Sequence, residues 1–516
     1  MYTGEQVKFR PEQPAIIMAN SGETLTYGEL EARSNRLAHL FRYLGLARLD
    51  HYAIFMENNS RYIEACGAGE RSGLYYTCVN ASLTAGELAQ IVNNSESRIL
   101  ITSLAKLDVA RKALEVCPKV ELCLVADGSG VGEPIVGLEQ ATAAMPASPI
   151  SDESIGAPML YTSGTTGRPK GVFRLLPKRP PGKPLPVPAF LLGLYRYREG
   201  MIYLSPAPLY HAAPLGAVNL TIRTGGTAII MERFDPETYL ELIQKYRVTY
   251  SQLVPTMFAR MLRLADATRL SYDLSSLDVA YHAAAPCPVP VKEAMIEWWG
   301  PIIHEYYGAT EGLGFTACTS EEWLAHKGTV GRAVFGDLHI LDDAFQPCAA
   351  GKPGTIWFKP PSPFQYFNDP EKTLESRSPD GVMSTVGDIG YVDEECFLYL
   401  TDRANFTIVS GGVILYPQEC ENLLSTHPKV ADAAVFGVPN PDLGEEVKAV
   451  VQPMPGVAPG PALAEELIAF LGRSLSRQKV PRSIDFEDEL PRQPTGKLYK
   501  CLLRDRYRGN HGARIV

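Results

Sequence analysis

Helix-start signals and short apolar runs alternate over residues 1–150, and that alternation leaves few folds open. Thr26-x-x-Glu29 has the form of a capping box, in which hydroxyl and carboxylate each satisfy a free backbone N–H. It opens a helix through Leu30, Leu37, Phe41 and Leu44 that stops at Gly45. A short buried strand is expected at residues 52–56, a helix around 62–68 and a strand near 74–79. A second box, Thr84-x-x-Glu87, and a strand at 99–102 follow. Strands separated by helices require right-handed crossovers and therefore largely parallel sheets, so the expected class is α/β. The chain has 516 residues. Single cores usually stop growing near ~250–300 residues, so two or more domains are expected.

Further along, residues 177–188 hold Pro177, Pro180, Pro181, Pro184, Pro186 and Pro188. That is too much proline for a helix interior or a central strand, and an extended surface excursion is expected. Residues 328–400 turn strand-rich with Gly and Pro punctuation, which suggests a small β-subdomain. From about 404 onward a second alternating section carries a helix near 417–425, a strand near 431–438, a Pro/Gly loop at 453–461 and a helix near 463–471. The expected plan is a large multi-subdomain N-terminal domain with parallel-rich sheets and a small β-subdomain, followed by a small α+β C-terminal domain.

Charge narrows the function. A formal net charge of −9 gives no general attraction to nucleic acid or anionic lipid, so any nucleotide site is built locally by a few placed groups. The opening Met1-Tyr2-Thr3-Gly4-Glu5 lacks the basic and apolar regions of a signal peptide. No apolar run approaches the ~20 residues that span a bilayer. Ten cysteines without a C-x-x-C pair favour reduced, packed thiols over a disulfide framework or zinc site, and Ala513-Arg514-Ile515-Val516 is no peroxisomal address. A cytoplasmic location is expected.

The string Tyr161-Thr162-Ser163-Gly164-Thr165-Thr166-Gly167-Arg168-Pro169-Lys170-Gly171 has the chemistry of a phosphate cradle. Its glycines let the backbone turn tightly and aim N–H groups at an anion, three hydroxyls add donors, and Lys170 adds a point charge. The spacing is not G-x-x-x-x-G-K-[ST], which argues against a P-loop NTPase, and composition alone equally describes a polar surface loop. Tyr307-Gly308-Ala309-Thr310-Glu311 sets an aromatic ring, a flexible glycine, a hydroxyl and a carboxylate within five residues. The ring can stack on adenine, the hydroxyl can donate to phosphate, and Glu311 can supply oxygen to Mg²⁺. Taken alone, Tyr306-Tyr307 also suits packed aromatics at a strand end.

With Pro208-Leu209-Tyr210-His211, Ala283-Ala284-Ala285-Pro286, Val386-Gly387-Asp388-Ile389-Gly390-Tyr391, Asp402-Arg403, Ser410-Gly411-Gly412 and Pro494-Thr495-Gly496-Lys497 in order, the chain resembles the adenylate-forming superfamily over nearly its whole length. That superfamily includes acyl-CoA synthetases, firefly luciferase and the adenylation domains of peptide synthetases. The resemblance implies that Thr162, Ser163, Gly164, Thr165, Thr166, Gly167 and Lys170 hold phosphate. It implies that Ala284, Ala285 and Pro286, with Tyr306, Tyr307 and Gly308, enclose AMP, that Asp388 takes the ribose hydroxyls, and that Arg403 reaches ribose or phosphate. Thr310, Glu311 (as the Mg²⁺ ligand), His211 and Lys497 are the implied catalytic residues, with Lys497 bridging carboxylate and α-phosphate. Tyr210, Ala213, Met257, Phe258, Ala309, Leu313 and Phe315 are candidates for the acyl pocket. Ser410, Gly411 and Gly412 are expected near coenzyme A. The implied division is 1–401 as the AMP- and acyl-binding domain, 402–405 as hinge with Asn405 as pivot, and 406–516 as a mobile lid.

Three positions depart from the pattern. After Asp402-Arg403 stand Ala404, Asn405 and Phe406 in place of the usual Lys or Asp two residues on, which bears on the hinge. Val413-Ile414-Leu415 replaces the frequent Glu-Asn-Ile, which bears on coenzyme A contacts. Phe173-Arg174 stands where the common pattern leads to Thr-His, which bears on the pocket mouth. The expected reaction uses ATP and Mg²⁺ to convert a fatty or aromatic carboxylic acid to its acyl-adenylate, then transfers it to coenzyme A. Loading of a carrier protein and a luciferase-like use of the adenylate are the alternatives. The expected partner is the small-molecule acid, with no nucleic acid and no transmembrane segment; monomer and homodimer both stay open.

Overall fold

Both capping boxes form. In the computed structural model the Thr26 hydroxyl accepts from the Glu29 N–H at 3.2 Å while the Glu29 carboxylate accepts from the Thr26 N–H at 2.9 Å, ahead of helix Tyr27–Tyr43. Thr84 and Glu87 do the same ahead of Ala85–Asn94. A third box, Thr319 with Glu322, opens the short helix Ser320–Ala325. Described here are residues 1–130, 132–162, 169–360, 363–403, 406–410, 413–492 and 498–508.

Two sheets dominate. The six-stranded one runs Ile135–Gly137, Leu122–Val125, Ile99–Thr102, His51–Phe55, Tyr75–Cys78, Ala157–Pro158, with every neighbour parallel. The nine-stranded sheet has a parallel centre: Ile303–Gly308, Val279–His282, Tyr250–Leu253, Ile202–Ser205, Thr227–Ile230 and Pro14–Met18. Antiparallel strands close both its edges, Phe315–Cys318 with Arg332–Phe335 at one and Thr24–Thr26 at the other. The strand-rich section is a four-stranded antiparallel sheet of Asp337–Leu341, Gly354–Lys359, Asp388–Val392 and Leu398–Arg403. The mixed class and the parallel-rich sheets are as the alternation implies.

The proline-rich segment differs from expectation at its end. Pro186 is the first residue of helix Pro186–Leu194, and Pro188 lies in its first turn. The first four N–H groups of a helix have no partner inside it, so proline there sacrifices no hydrogen bond and presets φ.

A separate small core follows. Ile408, Leu415, Leu424, Val435, Val451, Leu467 and their neighbours pack together, and among the described residues this core draws only on positions from 408 onward. Its sheet joins Val430–Asn440 to Gly444–Pro453, which pairs in parallel with Ser483–Phe486. None of the described helices is long and apolar enough to cross a membrane.

Beneath the ends of the central strands lies a buried ion pair. Lys292 Nζ, on helix Val289–Trp299, is 2.5 Å from Glu305 Oε2 on strand Ile303–Gly308. His282 Nε2, ending the neighbouring strand, is 3.4 Å from the same oxygen, and the ammonium also sits 4.7 Å above the Trp323 ring. Burial pushes the Glu305 carboxyl up, and Lys292 pulls it back. Replacing Lys292 by Met leaves that carboxylate buried without its cation, an expected loss of about 3–5 kcal/mol. A carboxyl whose folded pKa is raised keeps its stability below the ordinary carboxylate range and loses it as pH rises through the raised value. Unfolding of Lys292→Met against wild type at pH 5 and pH 8 should therefore show the larger loss at pH 8; an equal loss at both would mean that Glu305 is not the group left exposed to the cost.

Candidate active site

Strand Ile303–Gly308 sends its adjacent tyrosines to opposite faces, as strand alternation requires. Tyr306 Oη accepts from Gln252 Nε2 at 2.7 Å, and its ring lies 6.0–6.3 Å from those of Tyr195, Phe315 and Tyr281. Burial pushes its phenol up to about 12. Tyr307 Oη instead donates to Asp388 Oδ2 at 2.7 Å. Of the two tyrosines, Tyr307 is the one joined to Asp388.

Gly308 ends the strand opposite Phe315. A Cβ at Gly308 would meet the Phe315 ring at 2.6 Å, so glycine is what lets that ring close over the backbone. The chain then turns: the Gly312 N–H donates to the Ala309 carbonyl at 2.8 Å, with Gly312 at φ +55°. Thr310 is half-buried in this turn, and Glu311 is only 6% exposed. Glu311 Oε1 accepts from Tyr366 Oη at 2.8 Å.

Tyr366 comes from the short strand Gln365–Tyr366, paired with Lys170–Phe173, which pairs in turn with Tyr161–Thr162. Lys170 Nζ lies 5.0 Å above the Tyr366 ring. Thr162, Lys170, Tyr366 and Glu311 thus form one connected patch. Ser163, Gly164, Thr165, Thr166, Gly167 and Arg168 lie outside the described residues.

Ala284 follows strand Val279–His282 at φ +74°, the left-handed region that a residue with a side chain rarely takes. Strain of this kind clusters at sites where backbone must meet a ligand. Ala284 and Pro286 are exposed and Ala285 is half-buried. Asp388 is 7% exposed, follows Gly387 (φ +80°), and pairs in register with Arg403 across antiparallel strands.

His211 is the N-cap residue of helix Ala212–Arg223, with its ring 4.5 Å from that of Tyr210. The loop before it is held by Asn58, which accepts from the Leu209 N–H at 2.8 Å and donates to the carbonyls of Ala207 and Met231. Asn58 ties the end of the six-stranded sheet to the end of the nine-stranded one.

The seven acyl-pocket candidates do not share one wall. Tyr210 packs in the core between the two large sheets. Met257 and Phe258 belong to the core beneath the nine-stranded sheet, where Phe258 meets His282 and Trp299 edge-on. Leu313 packs with Val172, Val330 and Phe358. Phe315 lies beside Tyr306, Phe190 and Phe335. Ala213 and Ala309 are half-buried near His211 and Gly308 in sequence.

Ser410 ends strand Ile408–Ser410 and pairs with Val413 and Gly444. Gly411, Gly412, Asn405 and Lys497 lie outside the described residues. The chain flanking 493–497 is anchored: Arg492 bridges to Leu498, and its guanidinium grips the Asp432 carboxylate with two donors. Residues not singled out from the sequence include Tyr366, Gln252 and Asn58. Each acts through a partner more than 50 positions away, and nothing local to it signals that role.

Residues 4–366 match the family model described as AMP-binding enzyme, and residues 419–497 match that of the AMP-binding enzyme C-terminal domain. Feruloyl-CoA synthase of Amycolatopsis sp is 31% identical over 497 residues, covering 96% of each chain. A fatty acid–[acyl-carrier-protein] ligase of Streptomyces coeruleorubidus is 30% identical, covering 99% of this chain and 97% of that one. Among solved structures, o-succinylbenzoate CoA synthetase from Bacillus subtilis, in complex with its acyl-adenylate intermediate, superposes with a TM-score of 0.80 at 26% identity, over 98% of this chain and 97% of that one.

Placing a methyl group at Gly308 tests the packing of this corner. Gly308→Ala should cost about 1–3 kcal/mol by overpacking against Phe315. The same change in a Phe315→Leu background should cost clearly less. A double-mutant cycle from urea unfolding measures the coupling, and additive losses would place the clash elsewhere.

Proposed function

This chain belongs to the AMP-binding enzyme family, and from that premise we propose that the site described above joins a carboxylic acid to AMP and then hands the acyl group to coenzyme A. The protein is an AMP-forming acid–thiol ligase. In the first step a substrate carboxylate oxygen attacks the α-phosphorus of ATP; the bond from that phosphorus to the bridging oxygen of the β-phosphate breaks, and pyrophosphate leaves. In the second the coenzyme A sulfur, having given up its proton, attacks the acyl carbon. The C–O bond to phosphate breaks and AMP leaves.

The Tyr307–Asp388 hydrogen bond carries this reading. It joins, at 2.7 Å, two motifs that are 81 positions apart, and so supports an aromatic ring and a ribose-type acceptor acting on one ligand. Ala284, Ala285 and Pro286 are the opposing wall for adenine, with Tyr307 and Gly308. Tyr306, bonded to Gln252 on the other face, fits the acyl side better than the nucleotide side. His211 and Phe315 border the same acyl end. The substrate class proposed is a fatty or aromatic acid.

Phosphate is held by Thr162, Ser163, Gly164, Thr165, Thr166, Gly167 and Lys170, with Thr310 donating at the α-phosphate and Arg403 reaching ribose or phosphate. A Mg²⁺ fits at Glu311. One carboxylate oxygen is taken by Tyr366, which leaves the other as a hard oxygen donor. Among the described residues no cluster of three or more metal-ligating side chains forms. One protein carboxylate, with phosphate oxygens and waters for the rest, is the donor set Mg²⁺ commonly takes. When bound, the ion neutralises phosphate charge.

Lys497 is assigned to the adenylation step, in which substrate carboxylate and α-phosphate repel each other and an ammonium lowers the cost of bringing them together. Ser410, Gly411 and Gly412 belong to the thiol step. The separate core from residue 408 onward supports a division at 402–405, between a domain of residues 1–401 and a lid of residues 406–516 that turns about Asn405 between steps.

Pyrophosphate release measured with and without coenzyme A, across a panel of fatty and aromatic acids, tests the reading. Acid-dependent release with thioester formation is expected. Adenylate that accumulates with coenzyme A present, and is discharged only by a carrier-protein thiol, would favour carrier loading, the activity that the Streptomyces coeruleorubidus relative is named for. Lys497→Ala should lose ATP–pyrophosphate exchange by at least about 100-fold, yet convert supplied acyl-adenylate to thioester at a rate close to wild type. Equal losses in both half-reactions would remove Lys497 from the adenylation step.

A further inference from the structure

Arg174 directly follows strand Lys170–Phe173, which Lys170 opens, and it is one of the residues where the sequence leaves the family pattern. The backbone around it is pinned: the Arg174 carbonyl accepts from Tyr75 Oη at 2.7 Å, and the Leu176 N–H donates to that same hydroxyl at 3.1 Å. Its side chain is not matched in the same way. Nε and Nη2 are both buried, and neither meets a hydrogen-bond partner among the described residues. These two nitrogens form one edge of the guanidinium, the fork that takes an oxyanion with two parallel N–H···O bonds.

That fork lies against the turn that carries Glu311. A Cβ at Gly312 would come within 2.8 Å of Arg174 Nη2, so glycine at this position is what admits the guanidinium. Burial lowers the guanidinium pKa, and the nearby Glu311 carboxylate opposes the change. Holding a cation out of water without a bonded counter-group is costly, and a core packed for stability alone would place an apolar side chain here. An apolar residue would fit the surroundings, since the neighbouring Val172 and Leu313 both pack into an apolar core.

We propose that Arg174 is a further anion-binding residue of this enzyme, whose Nε/Nη2 fork takes phosphate oxygens at the pyrophosphate end of the nucleotide. The inference rests on the adenylate-forming reading of the site. Pyrophosphate is favoured over the substrate carboxylate because Arg174 stands just past the strand that Lys170 opens and lies against Gly312, next to Glu311, whereas His211, Tyr306 and Phe315 are assigned to the acyl end.

Calorimetric titration of the full chain with magnesium pyrophosphate, and separately with AMP, tests it on Arg174→Leu and Arg174→Lys. Arg174→Leu should weaken pyrophosphate by at least about tenfold while AMP stays within about twofold. The ligand-free melting temperature should hold or rise, which a purely structural arginine would not allow. Arg174→Lys keeps the charge without the fork and should weaken pyrophosphate by about threefold or more; it carries the test alone if the leucine variant does not fold. Pyrophosphate affinity within twofold of wild type in the folded variants, or an equal loss of AMP, would overturn the assignment. A wild-type chain that binds neither pyrophosphate nor AMP would instead sink the reading of the site itself.

Discussion

Lys292 and Glu305 meet at 2.5 Å inside the protein, with His282 against the same carboxylate, and three elements converge there: one helix and two adjacent parallel strands. A buried charge cannot be left alone, so this contact holds both strand ends in one relation to the helix. The residues that follow His282 and Glu305 in sequence are those of the proposed site. After His282 comes the strained Ala284 turn, and after Glu305 come Tyr306, Tyr307 and Gly308. An apolar contact could slide by an ångström; a paired ammonium and carboxylate with defined geometry cannot do so without losing the pair.

From that base the site is assembled by single hydrogen bonds between distant segments. Tyr307 reaches Asp388 in the small antiparallel sheet, and Tyr366 reaches Glu311 from the strand beside Lys170. Asn58 joins the loop before His211 to both large sheets. Glycines stand where side chains close over backbone, Gly308 beneath the Phe315 ring and Gly312 beside Arg174. Parallel sheets place loops at the carboxyl ends of their strands, which is where open α/β folds keep their ligands. The nine-stranded sheet carries residues of the proposed site at those ends, and its antiparallel edge strand Phe315–Cys318 packs against Tyr306.

Two half-reactions at one place call for two sets of groups. The core beyond residue 408 has its own apolar interior, and such a body can turn without unfolding, as the proposed exchange requires. One link between it and the rest is polar, the Arg263 guanidinium on the Ala431 carbonyl at 2.8 Å. A hydrogen bond of this kind can break and reform at little cost, since water replaces it.

Much of the fold was legible in the chain itself. Thr26 with Glu29, and Thr84 with Glu87, satisfy their own neighbours, so those helix starts need nothing from elsewhere. The α/β class followed from elements of that kind, and the order of the motifs followed from residues adjacent in sequence. The proline-rich segment was misjudged at Pro186, because proline at a helix start and proline in an extended loop have the same φ. Tyr306 and Tyr307 are adjacent in sequence, but the strand turns them to opposite faces and different partners. Local sequence determined which segments could turn, cap or cradle an anion, since those properties depend on bonds within a few residues. Which tyrosine meets Asp388, which oxygen of Glu311 is already taken, and that two guanidinium nitrogens of Arg174 are buried, one of them beside Gly312, were decided only by the tertiary structure. Those contacts form between groups that the chain brings together only when the sheets close, and their energies depend on water being excluded from between them.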